Sequence, residues 1–207
     1  MPSARYDVLG IGNAIVDVIA RAEEDFLLNQ GMRKGTMALI DEARAEAIYD
    51  AMGPAVEVSG GSAANTIVGL SLLGGRGAFV GKVKDDVLGR AFSHDIRAAG
   101  VAFGAPAASA GPSTGRCYVL VTPDGERTMN TYLGAAQDLH PADIDADAVA
   151  ASAITYLEGY LWDPKNAKDA FLKAAKIAHE AERTVALSLS DAFCVDRWRD
   201  EFLQLMR

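Results

Sequence analysis

Short β-branched or aliphatic runs alternate with helical patterns along this chain of 207 residues. The runs that predict buried strands are 7–12, 78–83, 153–158 and 184–190. The segments with helical periodicity are 62–73, 87–98 and 165–181. Alternation of this kind predicts an α/β fold in which helices cover both faces of a parallel sheet. The helix that begins at Ser62 is apolar nearly all round, so we expect it to be buried.

Two regions break this alternation and predict a second, smaller β-sheet. Their strand patterns lie at 14–22, 35–40, 116–122 and 128–133. Pro123-Asp124-Gly125 supplies turn residues between the last two patterns. A small sheet beside an open α/β core is suited to act as a lid, because covering the site excludes water from a transfer reaction. We expect this lid to be discontinuous, with segments at approximately 14–58 and 114–134.

Composition limits the classes of function that the chain can have. Half of the residues are hydrophobic and 23% are charged, which is typical of a globular protein with a sizeable core. The formal net charge of −8 disfavours nucleic acid as a partner. Cys117 and Cys194 lack the spacing of a metal site and favour a reducing compartment. We find neither a signal-peptide pattern nor a membrane span in the sequence, so we expect a cytoplasmic protein with no membrane partner.

Two glycine-containing segments are candidates for ligand binding. Gly10-Ile11-Gly12-Asn13 ends the first predicted strand, and Gly60-Gly61 precedes the helix at Ser62. Because glycine has no Cβ, a Gly-Gly pair lets backbone N–H groups approach a ligand closely. Ser62 is expected to cap the helix. A tight turn without a ligand is the alternative interpretation.

Neither of the common nucleotide-binding motifs is complete. Ile15 occupies the place of the third glycine in a dinucleotide fingerprint, where glycine permits close packing of helix and strand. Gly81-Lys82 is followed by Val83, whereas a Walker A loop needs Ser or Thr to meet magnesium. The missing glycine weakens the alternative of a nicotinamide oxidoreductase. If a nicotinamide cofactor does not raise the unfolding temperature of the protein, this alternative is wrong.

In their order along the chain, the glycine-rich and polar segments resemble the ribokinase-like (PfkB) family of sugar and nucleoside kinases. The matching segments are Gly10-Ile11-Gly12-Asn13 with Asp17, Gly60-Gly61-Ser62-Ala63-Ala64-Asn65, Gly74-Gly75, Gly81 through Asp86 to Gly89, Thr114-Gly115-Arg116, and Gly125-Glu126-Arg127-Thr128. Residues 10–17 and 156–160 look most like adenosine kinases. The resemblance implies a ribokinase-like α/β fold with an open, mainly parallel sheet, flanking helices and a small β-sheet lid. It also implies phosphorylation of the primary hydroxyl of a ribose-containing nucleoside, adenosine being favoured, with ATP and Mg²⁺.

The resemblance further implies a substrate site for a small-molecule nucleoside or sugar. Asp17 matches an aspartate that accepts hydrogen bonds from ribose hydroxyls, and an ionised acceptor makes the stronger, charge-assisted bond. Gly60, Gly61 and Asn65 match a sugar-binding Gly-Gly-x-x-x-Asn element, in which the amide offers a donor and an acceptor to a diol. Asn13 is a further match at the strand end. The alternatives are a solvated carboxylate for Asp17 and turn or capping roles for the two asparagines.

The purine side of the implied site is apolar. Thr131, Leu133 and Tyr160 match positions near the purine pocket of adenosine kinases, and an aromatic ring such as that of Tyr160 is suited to flank a flat base. Ordinary core positions are an equally good interpretation of all three. Arg116 and Arg127 lie on the predicted lid hairpin, where a substrate or phosphate could reach them, but we expect both to be surface arginines.

Parts that phosphoryl transfer requires are absent from the sequence. The family's late Asp-Thr-x-Gly-Ala-Gly-Asp motif supplies the base and a helix N-terminus for the developing charge, and it does not occur here. The family's Asn-x-x-Glu element for the magnesium-phosphate end is also missing. We therefore expect residues 1–207 to be the N-terminal part of a ribokinase-like kinase domain that lacks the ATP-binding part. We expect this part to contain no catalytic base and no metal ligand, and to be inactive alone.

Other interpretations stay open at the level of sequence. One is a ribokinase-like kinase of another sugar or nucleoside, and another is a non-catalytic protein that binds a nucleoside or sugar in the same cleft. Both a monomer and a homodimer are compatible with the sequence, because the edges of lid strands must be paired, covered or charged. Asp86 is expected to cap the helix at 87–98.

Overall fold

The computed structural model describes residues 4–206, which fold around two β-sheets. The strands are β1 (Tyr6–Ile11), β2 (Ile15–Arg21), β3 (Met37–Leu39), β4 (Ala55–Gly60), β5 (Gly77–Val80), β6 (Thr114–Val121), β7 (Arg127–Gly134), β8 (Ser152–Glu158) and β9 (Thr184–Ser188). The α-helices are α1 (Glu24–Asn29), α2 (Glu42–Ala51), α3 (Ser62–Leu72), α4 (Val87–Ala98), α5 (Ala146–Ala150), α6 (Lys165–Glu180) and α7 (Ala192–Leu205). Within the described residues, no helix is both long and apolar enough to cross a membrane.

The first sheet is parallel throughout, in the order β5-β1-β8-β9. Side chains of β1 alternate between its faces: Leu9 and Ile11 join the core formed with α6 and α7, while Val8 packs against the core formed with α3 and α4. Helices on both faces confirm the predicted α/β architecture. Gly10 permits close packing of α3 on the sheet, because a Cβ at this position would lie 2.7 Å from the side chain of Ile67.

The second sheet is mixed, in the order β3-β7-β6-β2-β4. One of its faces packs against helices, since Val16, Val18 and Tyr118 share a buried cluster with Ile48 of α2 and Ile96 of α4. The opposite face has a smaller buried cluster. All four strands that the sequence predicts for this sheet are present as β2, β3, β6 and β7.

The expectation that α3 is buried all round is wrong. Ala63, Ala64 and Ile67 are buried, but Leu72 and the following Leu73 are 74% and 90% exposed. The helix packs mainly against strands β1, β4, β5 and β8. Among the described residues, these neighbours leave the side of Leu72 and Leu73 open, although the side chains there are apolar.

Two strands end earlier than the sequence predicts. β5 stops at Val80 rather than at residue 83, and β9 stops at Ser188 rather than at residue 190. After β5 the backbone of Gly81 passes so close to β1 that a Cβ would lie 2.9 Å from the carbonyl oxygen of Gly12. After β9, Ser190 has a φ of +68°. A positive φ is incompatible with an extended strand, so the chain turns there.

Candidate functional site

The carboxyl ends of β1 and β8 meet the N-terminus of α3 at one edge of the first sheet. The chain leaves β1 through Gly12 and Asn13, β8 ends at Glu158, and α3 begins after Gly61. In open α/β sheets, ligands bind outside the carboxyl ends of the strands. This edge is therefore the candidate site, and strands β2 and β4 of the second sheet border it.

Asp17 and Asn65 lie together although they come from different elements. Asp17 is on β2, where it pairs with Val58 of β4. Asn65 lies in the first turn of α3, and its side chain is near enough to the Asp17 carboxylate to lower the pKa of that group. Gly60 adjoins the same carboxylate, because a Cβ at Gly60 would overlap it. The structure thus brings a carboxylate, an amide and a stretch of backbone without side chains to one place.

Burial raises the pKa of the Asp17 carboxyl from 3.8 to about 6, although the neighbouring Asn65 side chain acts in the opposite direction. Removal from water disfavours the charged form of an acid, which is why the pKa rises. At neutral pH the group is ionised and accepts hydrogen bonds through both oxygens. Below about pH 6 it takes up a proton, so its capacity to accept hydrogen bonds from hydroxyl groups falls.

Gly61, and not Ser62, is the N-cap of α3, so the expected capping role of Ser62 is wrong. Gly61 has a φ of +96°, in the left-handed region that favours glycine. A Cβ at Gly61 would also overlap the carbonyl oxygen of Asn13. Because the cap position must be glycine, the serine moves into the helix, where its hydroxyl donates a hydrogen bond to Glu158.

Glu158 belongs to this site, and the sequence analysis missed it. The residue is 1% exposed. Its carboxylate accepts hydrogen bonds from the backbone N–H of Asn13 at 2.7 Å, from Nδ2 of Asn13 at 3.0 Å and from the backbone N–H of Ala63 at 2.8 Å, in addition to the Ser62 hydroxyl. The sequence contained two signals: an acidic residue at the end of a predicted strand, and its place in the segment 156–160 that resembles adenosine kinases.

Thr131 lies in one row with Asp17 on the second sheet. Asp17 pairs with Cys117 of β6, and Cys117 pairs with Thr131 of β7, so the three side chains share a face. The Thr131 hydroxyl hydrogen-bonds to Sγ of Cys117 at 3.2 Å. Leu133 follows two residues later on the same face and is half-buried. Burial raises the pKa of the Cys117 thiol to about 11, so a neutral thiol lies beside the carboxylate.

Tyr160 lies in a different packing cluster from this row. It is in the 3₁₀ turn Gly159–Leu161 and packs against the core formed with α6 and α7. Its backbone N–H donates to Oγ of Ser190 at 2.8 Å, and burial together with the nearby Asp191 raises the pKa of its hydroxyl. These contacts hold the ring in place, and its role beside a purine stays a prediction.

The two arginines of the β6–β7 hairpin have different surroundings. Arg127 is exposed, as expected. Arg116 is half-buried: its Nε donates to the hydroxyl of Tyr118 at 2.9 Å, and its guanidinium lies 5.2 Å from the centre of the Tyr132 ring. The expectation of a surface arginine is therefore wrong for Arg116, because neighbouring tyrosines cover it.

Among residues 4–206, no group of three or more His, Cys, Asp or Glu side chains is placed to hold a metal ion.

A cluster of hydrogen-bonding groups at the carboxyl ends of a parallel sheet, bordered by a second sheet, is arranged as in a ribokinase-like α/β fold. Residues 38–207 match the family model described as pfkB family carbohydrate kinase, and the chain belongs to this family.

Solved structures of two kinases are similar over almost the whole chain. The adenosine kinase from Sinorhizobium meliloti is 58% identical, with a TM-score of 0.92, and the match covers 99% of this chain and 62% of that one. A probable sugar kinase protein from Rhizobium etli CFN 42 is 54% identical, with the same TM-score and the same coverage. Fructokinase-1 from Oryza sativa subsp. japonica is 33% identical over 128 residues, which are 61% of this chain and 40% of the fructokinase. The chain therefore matches only part of the length of each relative.

Proposed function

We propose that the protein is an ATP-dependent kinase that phosphorylates the primary hydroxyl of a ribose-containing nucleoside, and that this chain holds its acceptor site. Adenosine is the favoured substrate. The observation that carries the proposal is the convergence of Asp17 and Asn65 beside Gly60. The 58% identity to an adenosine kinase supports the choice of adenosine. The free, buried Cys117 and Cys194 support a cytoplasmic location, where thiols stay reduced.

In this proposal the ribose is held by its secondary hydroxyls. The Asp17 carboxylate accepts hydrogen bonds from the diol, and the Asn65 amide supplies a further donor and acceptor. Because Gly60 and Gly61 carry no side chains, the Asp17 carboxylate and the Asn13 backbone pack against them, and the sugar ring is proposed to lie beside this backbone. Fixing the ring in this way holds the primary hydroxyl in the orientation that the reaction needs, and correct orientation lowers the barrier to reaction.

The face of the second sheet that carries Asp17 is the proposed surface for the base. Thr131 and Leu133 offer neutral, largely apolar contacts in line with Asp17. Val58 of β4 is 38% exposed on the same face. A flat heteroaromatic ring is recognised mainly through apolar contact area with a few polar groups. Tyr160 is proposed as an additional contact at the base.

ATP and Mg²⁺ are proposed for the complete protein. Transfer of a phosphoryl group depends on positioning and on stabilising the charge of the transferred group. The base that takes the substrate proton and the groups that hold the phosphates are proposed to lie outside residues 1–207. The described residues bind and orient the acceptor.

Release of ADP by the protein produced from its complete reading frame tests this function. We expect turnover with adenosine, weaker turnover with guanosine and inosine, and little with ribose or fructose.

The 1–207 chain, checked for folding by circular dichroism, is expected to release no ADP with any of them, because it lacks the phosphate end of the site. Turnover of a hexose alone would favour the second candidate, a sugar kinase, which the similarity to the rice fructokinase supports. Robust turnover by the 1–207 chain would show that the base has been misplaced.

A non-catalytic binding protein is the remaining alternative. It is distinguished by isothermal titration of the complete protein with adenosine in the absence of nucleoside triphosphate, combined with the ADP assay. Tight binding without turnover by the complete protein supports this alternative.

Nucleoside affinity is expected to fall in mildly acidic solution. The pKa of Asp17 in the free protein is about 6, and only the ionised form accepts hydrogen bonds from both ribose hydroxyls. Binding at pH 5 should therefore be about tenfold weaker than at pH 7, and affinity should level off above about pH 7. Isothermal titration between pH 5 and pH 8 measures this dependence. An affinity that stays constant down to pH 5 contradicts the role of Asp17.

A further inference from the structure

The buried carboxylate of Glu158 joins two separate segments of the site. One oxygen, Oε2, accepts the backbone and side-chain N–H groups of Asn13. The other oxygen, Oε1, accepts the Ala63 N–H and the Ser62 hydroxyl. An ionised carboxylate has about four positions at which it can accept a hydrogen bond, and here all four are used. Glu158 therefore has no acceptor position left for a ligand and acts only through its neighbours.

The surroundings of Glu158 are shaped to admit its charge. A Cβ at Gly12 would lie 2.7 Å from Oε2 of Glu158 and 2.7 Å from Cβ of Ala63, so a side chain at that position would displace the carboxylate. The carboxylate also lies at the N-terminus of α3, where unpaired N–H groups and the helix dipole favour a negative charge. At the end of β8, the Glu158 carboxylate thus packs against Gly12 and the N-terminus of α3.

The hydrogen bonds from Asn13 decide which polar atom of that residue stays free. Its backbone N–H and its Nδ2 both donate to Glu158. Its Oδ1 is buried and has no hydrogen-bond partner among the described residues. Glu158 therefore sets the orientation of the Asn13 amide and leaves an acceptor as the unpaired group.

The bonds to Ser62 and Ala63 hold the first turn of α3. Gly61 precedes this turn, and Asn65 lies within it. The backbone N–H of Asn65 donates to the carbonyl oxygen of Gly61 at 2.8 Å, so the position of Asn65 follows that of the helix start. A movement of Glu158 would therefore shift the amide that meets Asp17.

We propose that Glu158 is a positioning residue for the recognition of the acceptor's hydroxyl groups. It fixes Asn13 and the first turn of α3 and, through them, the groups that meet the diol. The inference rests on the proposed function, because it needs a ligand with a vicinal diol. A carboxylate that merely stabilised the helix would weaken binding of all ligands alike, whereas a positioning residue affects ligands with the diol most.

The test compares adenosine with 2′,3′-dideoxyadenosine, which lacks the diol. Isothermal titration with the protein from the complete reading frame gives the ratio of the two affinities, and thermal unfolding gives the stability of each variant. We expect the unaltered protein to prefer adenosine by about 100-fold, because a site built to bond hydroxyls rejects the analogue without them. Glu158→Gln keeps the size of the side chain but puts an NH₂ donor against N–H groups of Asn13 or Ala63. This variant should bind adenosine about 30-fold more weakly and the dideoxy analogue at most about threefold more weakly.

Two further variants keep the test decisive. Ser62→Ala removes one of the four hydrogen bonds at an exposed position and should reduce the preference for adenosine by about threefold in a protein that folds. Asp86→Asn is the matched control. As predicted, Asp86 caps α4, accepting the Gly89 N–H at 2.7 Å, and it also accepts the N–H of Thr114 at 2.9 Å. This control should lower the unfolding temperature and leave the preference for adenosine unchanged.

The outcomes separate the two proposals. If the unaltered protein binds adenosine and its dideoxy analogue equally, diol recognition is wrong, and the positioning role is wrong with it. If the unaltered protein prefers adenosine and both Glu158→Gln and Ser62→Ala keep that preference in full, the proposed function stands and Glu158 is not a positioning residue. A loss of preference in Asp86→Asn equal to that in Glu158→Gln also overturns the inference.

Discussion

Replacing Asp17 with asparagine is expected to weaken adenosine binding by about 100-fold and, at the same time, to make the unliganded protein more stable. The loss of affinity follows from the loss of charge-assisted hydrogen bonds to two hydroxyls, which together contribute about 3 kcal/mol. Isothermal titration at pH 7.5 measures this effect. An affinity within about threefold of the unaltered protein would remove Asp17 from the site.

The gain in stability follows from the pKa of Asp17. Folding raises this pKa from 3.8 to about 6, so the native state holds the proton more tightly than the unfolded chain does. The ionised group therefore destabilises the native state above about pH 6, and this cost disappears as the pH falls below about 4. A pKa difference of this size corresponds to a loss of about 3 kcal/mol in the free energy of unfolding. Because asparagine is neutral, Asp17→Asn should recover about 1–2 kcal/mol at pH 7.5 and raise the unfolding temperature by a few degrees.

Asp7→Asn is the control for this prediction. Asp7 is also on a strand of the N-terminal region, but its carboxylate is exposed and pairs with Arg76 at 2.6 Å. The hydrogen bond from Arg76 holds the pKa of Asp7 below its usual value, which is the opposite of the change at Asp17. The control should leave affinity unchanged and should not stabilise the protein. A less stable Asp17→Asn variant would contradict the assigned cost of burying the charge.

Replacing Gly61 with alanine is expected to destabilise the fold by about 3–5 kcal/mol and to abolish nucleoside binding. An alanine at a φ of +96° is strained, and its Cβ would overlap the carbonyl oxygen of Asn13. The Asn13 backbone cannot yield easily, because its N–H is bonded to buried Glu158. The free energy of unfolding, measured in urea, gives the size of the effect.

Two other glycines distinguish the cost of backbone strain at a positive φ from the cost of steric overlap by an added Cβ. Gly74 has a φ of +91° but nothing within 4 Å of an added Cβ, so Gly74→Ala should cost only about 1–2 kcal/mol. Gly69 lies within α3 with open space around it, so Gly69→Ala should stabilise the protein by about 0.5–1 kcal/mol. If Gly61→Ala costs no more than Gly74→Ala, the contact with Asn13 is not what requires glycine at this position.

Elements with a strong local pattern could be predicted from the sequence. α4 was placed at its observed bounds, since Asp86 caps it and one face is regularly apolar. The sequence predicts β1 and β8 to within one residue at each end, because each is a short β-branched or aliphatic run. α2 was missed, since only Ala45 and Ile48 of its ten residues are buried and its pattern is weak. β4 was missed because its side chains are mostly exposed and its place is set by pairing with β2.

For the site too, only residues with a local sequence pattern could be predicted. Asp17, Gly60 and Asn65 stand in short motifs, so the sequence offered them as candidates. Glu158 lies in the segment 156–160 that resembles adenosine kinases, but nothing local marks its role, because its partners lie 145 and 95 residues away along the chain. Its importance depends on which strand ends meet at the sheet edge, and that is a property of the topology. The misplaced cap at Ser62 has a similar cause, because the backbone conformation of Gly61 is fixed by the distant Asn13.

Asp17 and Asn65 meet although they belong to different parts of the fold. Asp17 is on β2 of the second sheet, whereas Asn65 is on α3, which packs on β1 and β5 of the first sheet. The chain passes between the two sheets four times, and two of these passages, at Gly12-Asn13 and at Gly60-Gly61, lie within the site. The proposed nucleoside, bound by Asp17 and Asn65, would therefore contact both sheets at once. Its binding would then be coupled to any movement of one sheet relative to the other.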